Sequence, residues 1–108
     1  MKRLFFIALF FSAQSYAGDC VYLEVVGVQA QSGNVLVQVR ANKKNDEGKY
    51  YAPWKNLGSH DSKAVKSYQS IAQQAIATGN EVMLRFAGNA SCYDTDYTTT
   101  PIAFRLYK

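Results

Sequence analysis

Residues 89–101 read NASCYDTDYTTTP and concentrate side chains that could carry chemistry. Asp94 and Asp96 flank a threonine, and Cys92 adds a sulfur nearby. Such a set could hold a metal, bind a ligand or only fix a connection in place. Ca²⁺ takes about six to eight oxygen ligands, and nothing after Asp96 supplies the bidentate acid that calcium loops use. The segment therefore predicts a solvated loop with Asx turns and no metal.

A catalytic centre would need a positioned base and a partner, and the sequence offers few candidates. His60, the single histidine, precedes Asp61, and this pairing could raise the basicity of the imidazole. A position just ahead of a predicted helix is more typical of a solvated helix entry. Ser59 is adjacent to His60 only in sequence, which is not triad geometry. We therefore expect no enzyme and no cofactor, unless a cleft joins His60 to Asp94 or Asp96.

Residues 1–17 have the features of a secretory signal peptide. Lys2 and Arg3 precede an uncharged run, residues 4–11, and small residues follow at the positions that signal peptidase recognises. The run is shorter than the roughly 20 residues that cross a bilayer. The alternative, a retained amphipathic anchor, would need a polar face that the run lacks. We expect cleavage to leave one domain, residues 18–108, with no membrane span and a periplasmic or secreted location.

Two cysteines, Cys20 and Cys92, would remain after cleavage. An even pair in an exported protein predicts a disulfide because the compartment is oxidising. A metal pair is the alternative, but the chain has one histidine and no third soft ligand. The disulfide would tie the segment before the last strand to the start of the mature chain.

The charge of the chain argues against nucleic acid as a partner. The formal net charge is +4, and the signal peptide carries two of these charges. The remaining basic residues are dispersed, and the adjacent pair Lys43 and Lys44 is offset by Asp46 and Glu47. A polyanion partner requires a concentrated basic surface. Asn89, Ala90 and Ser91 match a glycosylation sequon, a pattern that is frequent by chance.

Hydrophobic periodicity divides the mature chain into five strands and one helix. The predicted strands cover residues 21–28, 35–40, 50–54, 82–86 and 102–106. A turn at Ser32, Gly33 and Asn34 joins the first two strands as a hairpin. Pro53 cannot donate to a ladder, so the third strand should lie at an edge or contain a bulge.

From Ser62 the apolar period changes to three and four residues, which predicts an amphipathic helix. Its apolar stripe consists of Val65, Tyr68, Ala72, Ala75 and Ile76. Asp61 or Ser62 can cap the first turn, and Gly79 stands where a left-handed residue ends a helix.

The resulting order is β-β-β-α-β-β, with the helix between the third and fourth strands. This order is that of the OB-fold, a five-stranded Greek-key barrel that is mainly β with one helix. A plain α+β sandwich is the alternative architecture.

The chain also resembles a family of small secreted bacterial OB-fold proteins. The resemblance lies in a cysteine beside the first strand, a tryptophan after the third, the segment SIAQQAIATGNEVMLRF and a second cysteine. The family includes the binding subunits of A-plus-five-B toxins such as subtilase cytotoxin, in which a helix of the form xxAxxAxxTGxxV leads into the fourth strand. Ala72, Ala75, Thr78, Gly79 and Val82 match that form. The resemblance implies an OB-fold and a five-fold ring, and it transfers no sugar-contacting residue to this chain.

Binding is the function that these features favour. OB-folds bind ligands on the second and third strands and on the loops before the second and fifth strands, and residues 89–101 would form the latter loop. Aromatic rings stack on sugars, and polar side chains add directional hydrogen bonds, although Trp54 could instead be core. The predicted contact residues are Tyr93, Asp94, Asp96, Tyr97, Thr99, Gln38, Arg40 and Tyr51.

We therefore expect an exported, non-enzymatic binding module for a glycan or a protein surface, able to form a homo-oligomer like a toxin receptor-binding subunit. The alternative is an envelope-associated accessory protein that binds another protein through an exposed strand edge.

Overall fold

The structure, a computed structural model, describes residues 18–88 and 90–108. The predicted signal peptide, residues 1–17, and Asn89 of the sequon lie outside the described residues. Within the described ranges, no helix combines the length and the apolar character needed to cross a membrane.

The described residues form five strands in one antiparallel sheet and a single helix. The elements are β1 (Gly18–Gln31), β2 (Asn34–Arg40), β3 (Trp54–Ser59), α1 (Lys63–Thr78), β4 (Val82–Phe86) and β5 (Ala103–Leu106). The strands are ordered β3-β2-β1-β4-β5 across the sheet. The prediction of a mainly β protein with one helix is confirmed.

The central strand β1 serves both halves of the sheet. Its first part, from Gly18 to Leu23, pairs with β4, and its second part, from Glu24 to Gln31, pairs with β2. The register shifts between Cys20 and Leu23, and again between Val25 and Gly27. Such bulges bend a strand and increase its twist, so one strand can change partners along its length.

The third strand was predicted at residues 50–54, and this placement is wrong. The strand runs over Trp54–Ser59. Its inward positions include Lys55 and Leu57. Because a lysine occupies one of these core positions, the sequence does not show the alternation of apolar and polar residues that indicates a strand. The predicted edge position is nevertheless observed, since β3 ends the sheet.

The helix begins and ends where the sequence predicts. The Ser62 side chain accepts a hydrogen bond from the Val65 N–H at 3.4 Å, and Gly79 adopts φ 77° beyond the last turn. Val65, Ala72 and Ala75 are buried against the sheet.

Ile76 was assigned to the apolar stripe of α1, and this assignment is wrong, because its side chain is 47% exposed. Ile71 packs against the core instead, beside Tyr68. At 3.6 residues per turn the buried positions centre the stripe between Ala72 and Ala75, which leaves Ile76 at its border.

One core joins the helix and both halves of the sheet. It consists of Cys20, Leu23, Val25, Val35, Val37, Val39, Ala41, Leu57, Val65, Ala72, Ala75, Val82, Leu84, Phe86 and Phe104.

Gly58 permits the close approach of α1 to β3. Its φ is 125°, and a Cβ at this position would lie 2.9 Å from Cγ2 of Val65. We expect Gly58→Ala to lower the free energy of unfolding by about 2 kcal/mol, because backbone strain adds to overpacking. Urea denaturation measures the loss. Gly48→Ala is the matched control, since Gly48 also has a positive φ but no atom within 4 Å of its Cβ position. Equal losses of unfolding free energy in the two variants would show that the close contact between Gly58 and Val65 of α1 does not contribute to the effect.

Candidate ligand-binding site

Residues 94–97 lie along the free edge of β3. The Asp96 N–H donates to the Trp54 carbonyl at 3.0 Å, and the Trp54 N–H donates to Thr95 Oγ1 at 3.1 Å. The Asn56 amide donates to the Tyr97 carbonyl at 2.9 Å. An unpaired strand edge can pair with other chains. In this protein the loop that precedes β5 covers the edge of β3.

Lys55 holds the same loop from inside the protein. The side chain is almost fully buried, at 1% exposure, and its ammonium donates to the carbonyls of Ser91 and Asp94. It also lies 5.7 Å from the centroid of the Phe86 ring. Burial lowers the pKa of Lys55, while the carboxylates of Asp96 and Asp94 partly oppose this effect. The backbone carbonyls of Ser91 and Asp94 therefore accept hydrogen bonds from the ammonium of a lysine in the core.

The predicted disulfide between Cys20 and Cys92 is confirmed. The two Cα atoms are 5.4 Å apart, and the bond closes a sequence separation of 72 residues. No free cysteine occurs in the part of the chain that the structure describes. The loop before β5 is thus tied to β1 covalently and to β3 through Lys55.

The Asp96 carboxylate is used within the loop itself. Its Oδ1 accepts hydrogen bonds from the Thr98 N–H and hydroxyl, both at 2.8 Å, and from the Thr99 N–H at 3.1 Å. These hydrogen bonds hold the pKa of Asp96 well below its usual range. The side chain closes an Asx turn, as the sequence indicates for this segment.

This carboxylate predicts a pH-dependent contribution to stability. Because its pKa is lower in the folded than in the unfolded protein, the contribution is full above about pH 4 and disappears as the pH falls toward the folded value. We expect Asp96→Ala to lower the unfolding free energy by about 1–2 kcal/mol at pH 7. Chemical denaturation at pH 7, 4 and 2 measures the difference, with Asp94→Ala as control. A difference that stays constant across these pH values would contradict the assignment.

Four tyrosines gather where β1 begins and β2 ends. The rings of Tyr51 and Tyr93 have centroids 5.1 Å apart. Tyr22 and Tyr50 extend the group along one side, since both line the same concavity. We call Tyr22, Tyr50, Tyr51 and Tyr93 the tyrosine surface.

Three cations lie against this surface. Arg40 and Lys44 approach the ring of Tyr50, at 5.7 and 5.2 Å from its centroid. Lys43 lies 4.9 Å from the centroid of Tyr93. Arg40 is in turn ion-paired with Glu24 on β1. The pair Lys43 and Lys44 thus supports tyrosine rings, in addition to being balanced by acidic neighbours in sequence.

Two adjoining concavities open in the tyrosine surface. The first, of about 180 Å³, lies beside the disulfide and is lined by Asp19 and Tyr93 among others. The second, of about 210 Å³, is bordered by Tyr50 and Glu81 among others. Both are lined by Tyr22, Ala41 and Asn42, so they adjoin at these residues.

The structure brings together only part of the predicted contact set. Tyr51, Tyr93 and Arg40 lie at the tyrosine surface. Gln38 precedes Arg40 in β2, and its side-chain amide donates to the Ala52 carbonyl at 3.1 Å. The loop residues line neither concavity; they are Asp94, Asp96, Tyr97 and Thr99.

The predicted contact set lacks Tyr22, Tyr50 and Asn42, which line the concavities. A signal for Tyr22 was present in β1, where Val21, Tyr22 and Leu23 break the alternation of apolar and polar residues. Consecutive apolar residues in a strand are what a bulge produces, because it shifts the side chains relative to the faces of the sheet.

The candidate catalytic pair lies elsewhere. His60 Nδ1 is 3.2 Å from Asp61 Oδ1, and both side chains are exposed. The His60 N–H donates to the Gly33 carbonyl at 3.1 Å, which places the pair beside the β1–β2 turn. His60 lines neither concavity. Within residues 18–88 and 90–108, no three histidine, cysteine or acidic side chains cluster as a metal site requires.

No protein-family model, curated protein or solved structure matches this chain. Its function is therefore inferred from the residues of the tyrosine surface and from the loop that the disulfide and Lys55 hold beside it.

Proposed function

We propose that this chain is an exported, non-enzymatic binding module that recognises a glycan through the tyrosine surface. The observation that carries the proposal is the grouping of Tyr22, Tyr50 and Tyr93 around two adjoining concavities, with the ring of Tyr51 packed against that of Tyr93. Tyrosine rings stack on the apolar faces of sugar rings, and amide, carboxylate and guanidinium groups bond the hydroxyls. A surface fixed by a disulfide loses less entropy when it binds.

Export is proposed from two independent features. Residues 1–17 have the composition of a signal peptide. The disulfide is consistent with an oxidising compartment outside the cytoplasm. We place the mature chain in the periplasm or in the secreted fraction.

The architecture we propose is an OB-fold-like barrel. The helix follows β3 and precedes β4, and β1 pairs with both β2 and β4. A parallel bridge between Lys55 and Asp96 joins β3 to the segment ahead of β5. Contact between the two ends of a sheet is what barrel closure requires.

The resemblance to toxin binding subunits extends the proposal to a homo-oligomer. Several identical sugar sites on one ring would raise the apparent affinity for a glycosylated surface. The mass of the purified exported protein in solution tests this extension. A monomer that binds glycans would remove the ring and leave the binding module.

The alternative is an envelope accessory protein that binds a partner through a strand edge. The edge of β3 is covered by residues 94–97. The alternative therefore concerns β5 (Ala103–Leu106), the other end strand of the sheet. Exposed Ile102 immediately precedes this strand and would border such an interface.

A glycan array probed with the exported protein tests the proposal. We expect binding to selected glycans, reduced about tenfold or more by Tyr93→Ala, which removes a ring that lines the first concavity, or by Tyr51→Ala, which removes the ring packed against Tyr93. Removing an aromatic anchor of a binding site costs more than about 1 kcal/mol. Ile102→Ala is the control and should bind like the parent protein. Binding to no glycan would refute the proposal. A protein partner that co-purifies and is lost with Ile102→Ala, but not with Tyr51→Ala, would establish the alternative.

A further inference from the structure

Tyr22 has an unusual backbone conformation. Its φ is 57°, and it is the one residue other than glycine with a positive φ among the residues described. Bulky L-residues avoid this region because the Cβ approaches a backbone carbonyl. Tyr22 lies in the β1 bulge where the register shifts between Cys20 and Leu23. Observed strain of this kind is a reason to look for a functional role.

The core does not account for a tyrosine at this position. The bulge turns Tyr22 outward, with 60% of the residue exposed, while Leu23 after it and Cys20 two residues before it are buried. Tyr22 is the most exposed member of the tyrosine surface. In the described part of the chain, no aromatic ring or cation packs against the ring of Tyr22, whereas cationic side chains lie over the rings of Tyr50 and Tyr93. Its ring is therefore available to a ligand.

Both concavities meet at Tyr22. Their volumes, about 180 and 210 Å³, each fall below the range of roughly 300–1,000 Å³ that small-molecule sites occupy. Taken together they reach the lower part of that range. A ligand that fills the site must consequently extend over Tyr22 from one side to the other.

The charges on the two sides favour a neutral ligand. On one side Asp19 is ion-paired with Arg85 at 2.7 Å. On the other side Glu24 is ion-paired with Arg40, close to Glu81. A strongly charged ligand would meet both signs, whereas the hydroxyls of a neutral sugar can donate to the carboxylates and accept from the guanidinium and from Asn42.

We infer that the site has two subsites with Tyr22 as the platform between them, and that it binds a neutral oligosaccharide of at least two sugar residues. This inference rests on the proposed function and adds to it the length and charge of the ligand. The left-handed backbone of Tyr22 belongs to the bulge, and the bulge exposes the tyrosine ring to both subsites.

Calorimetry with three sugar series tests the inference. The probes are glucose, maltose and maltotriose; N-acetylglucosamine, chitobiose and chitotriose; and galactose and lactose. The array carries the same sugars with other neutral and acidic glycans. For any series that binds, we expect the disaccharide to bind at least about tenfold more tightly than the monosaccharide, and Tyr22→Ala to remove about tenfold of that affinity. Tyr22→Phe should stay close to the parent protein.

Two further variants separate binding from folding. Tyr22→Gly removes the ring and relieves the backbone, so its thermal midpoint should equal or exceed that of the parent protein while disaccharide binding is lost. Val26→Ala, at another exposed position of β1 outside both concavities, should change neither quantity. Equal affinity for mono- and disaccharides, tight binding of acidic glycans alone, full binding by Tyr22→Ala, or a lower midpoint for Tyr22→Gly would each overturn the inference. If no glycan binds at all, the proposed function fails and the inference fails with it.

Discussion

Removal of the Cys20–Cys92 disulfide is expected to lower the free energy of unfolding by about 4 kcal/mol, because the bond closes a separation of 72 residues in the unfolded chain. Stabilities of small domains are of order 5–15 kcal/mol, so this loss is a large share of the total. The double variant Cys20→Ser, Cys92→Ser should also lose restraint in the loop before β5.

Urea denaturation with and without dithiothreitol measures this effect. The parent protein should unfold at lower urea concentration when reduced, and the double variant should unfold at one concentration under both conditions. Reduction that leaves the midpoint of the parent protein unchanged would contradict a bond that constrains the native fold. Replacement of Ser67, an exposed helix residue, by alanine controls for the effects of a surface change.

Replacement of the buried lysine is expected to have the second largest effect. We expect Lys55→Met to lower the free energy of unfolding by about 3 kcal/mol, because methionine fills much of the space but removes the charged donor of two part-buried hydrogen bonds. The acceptors of these hydrogen bonds are the carbonyls of Ser91 and Asp94, at the start of the loop. The loss should be accompanied by faster hydrogen exchange of the Asp96 amide, which donates to Trp54.

The matched control is Lys66→Met on the exposed face of α1, for which we expect a change within about 0.5 kcal/mol. If Lys55→Met were as stable as this control, the ammonium would have no role in holding the loop. Unchanged exchange at Asp96 despite a loss of stability would assign Lys55 to the core alone.

Much of the fold was predictable because its signals are local. The apolar alternation of β2 and β4 and the capping residues of α1, Ser62 and Gly79, depend on a few neighbouring residues. The disulfide followed from counting cysteines in a chain with the features of an exported protein. By contrast β3 was misplaced, since Lys55 occupies a core position that only its distant carbonyl partners make tolerable.

The candidate site was predictable only in part, because it too depends on contacts between residues that are distant in sequence. Tyr93 was proposed because it lies in the loop that the second cysteine anchors, and Tyr51 because it was placed on the third strand of an OB-fold. Tyr22 was missed because the bulge that turns it outward arises from the pairing of β1 with β4, some sixty residues away in sequence. The carboxylate of Asp96 was predicted to contact a ligand. In the structure it accepts hydrogen bonds from a threonine of its own loop.

Amide chemical-shift mapping of the exported protein, titrated with the disaccharide that binds best, tests the central claim most directly. We predict that the largest shifts fall at residues 19–24, 40–42 and 50–51 and at Tyr93, around both concavities. Shifts confined to α1 or to β5, with the tyrosine surface unchanged, would contradict it.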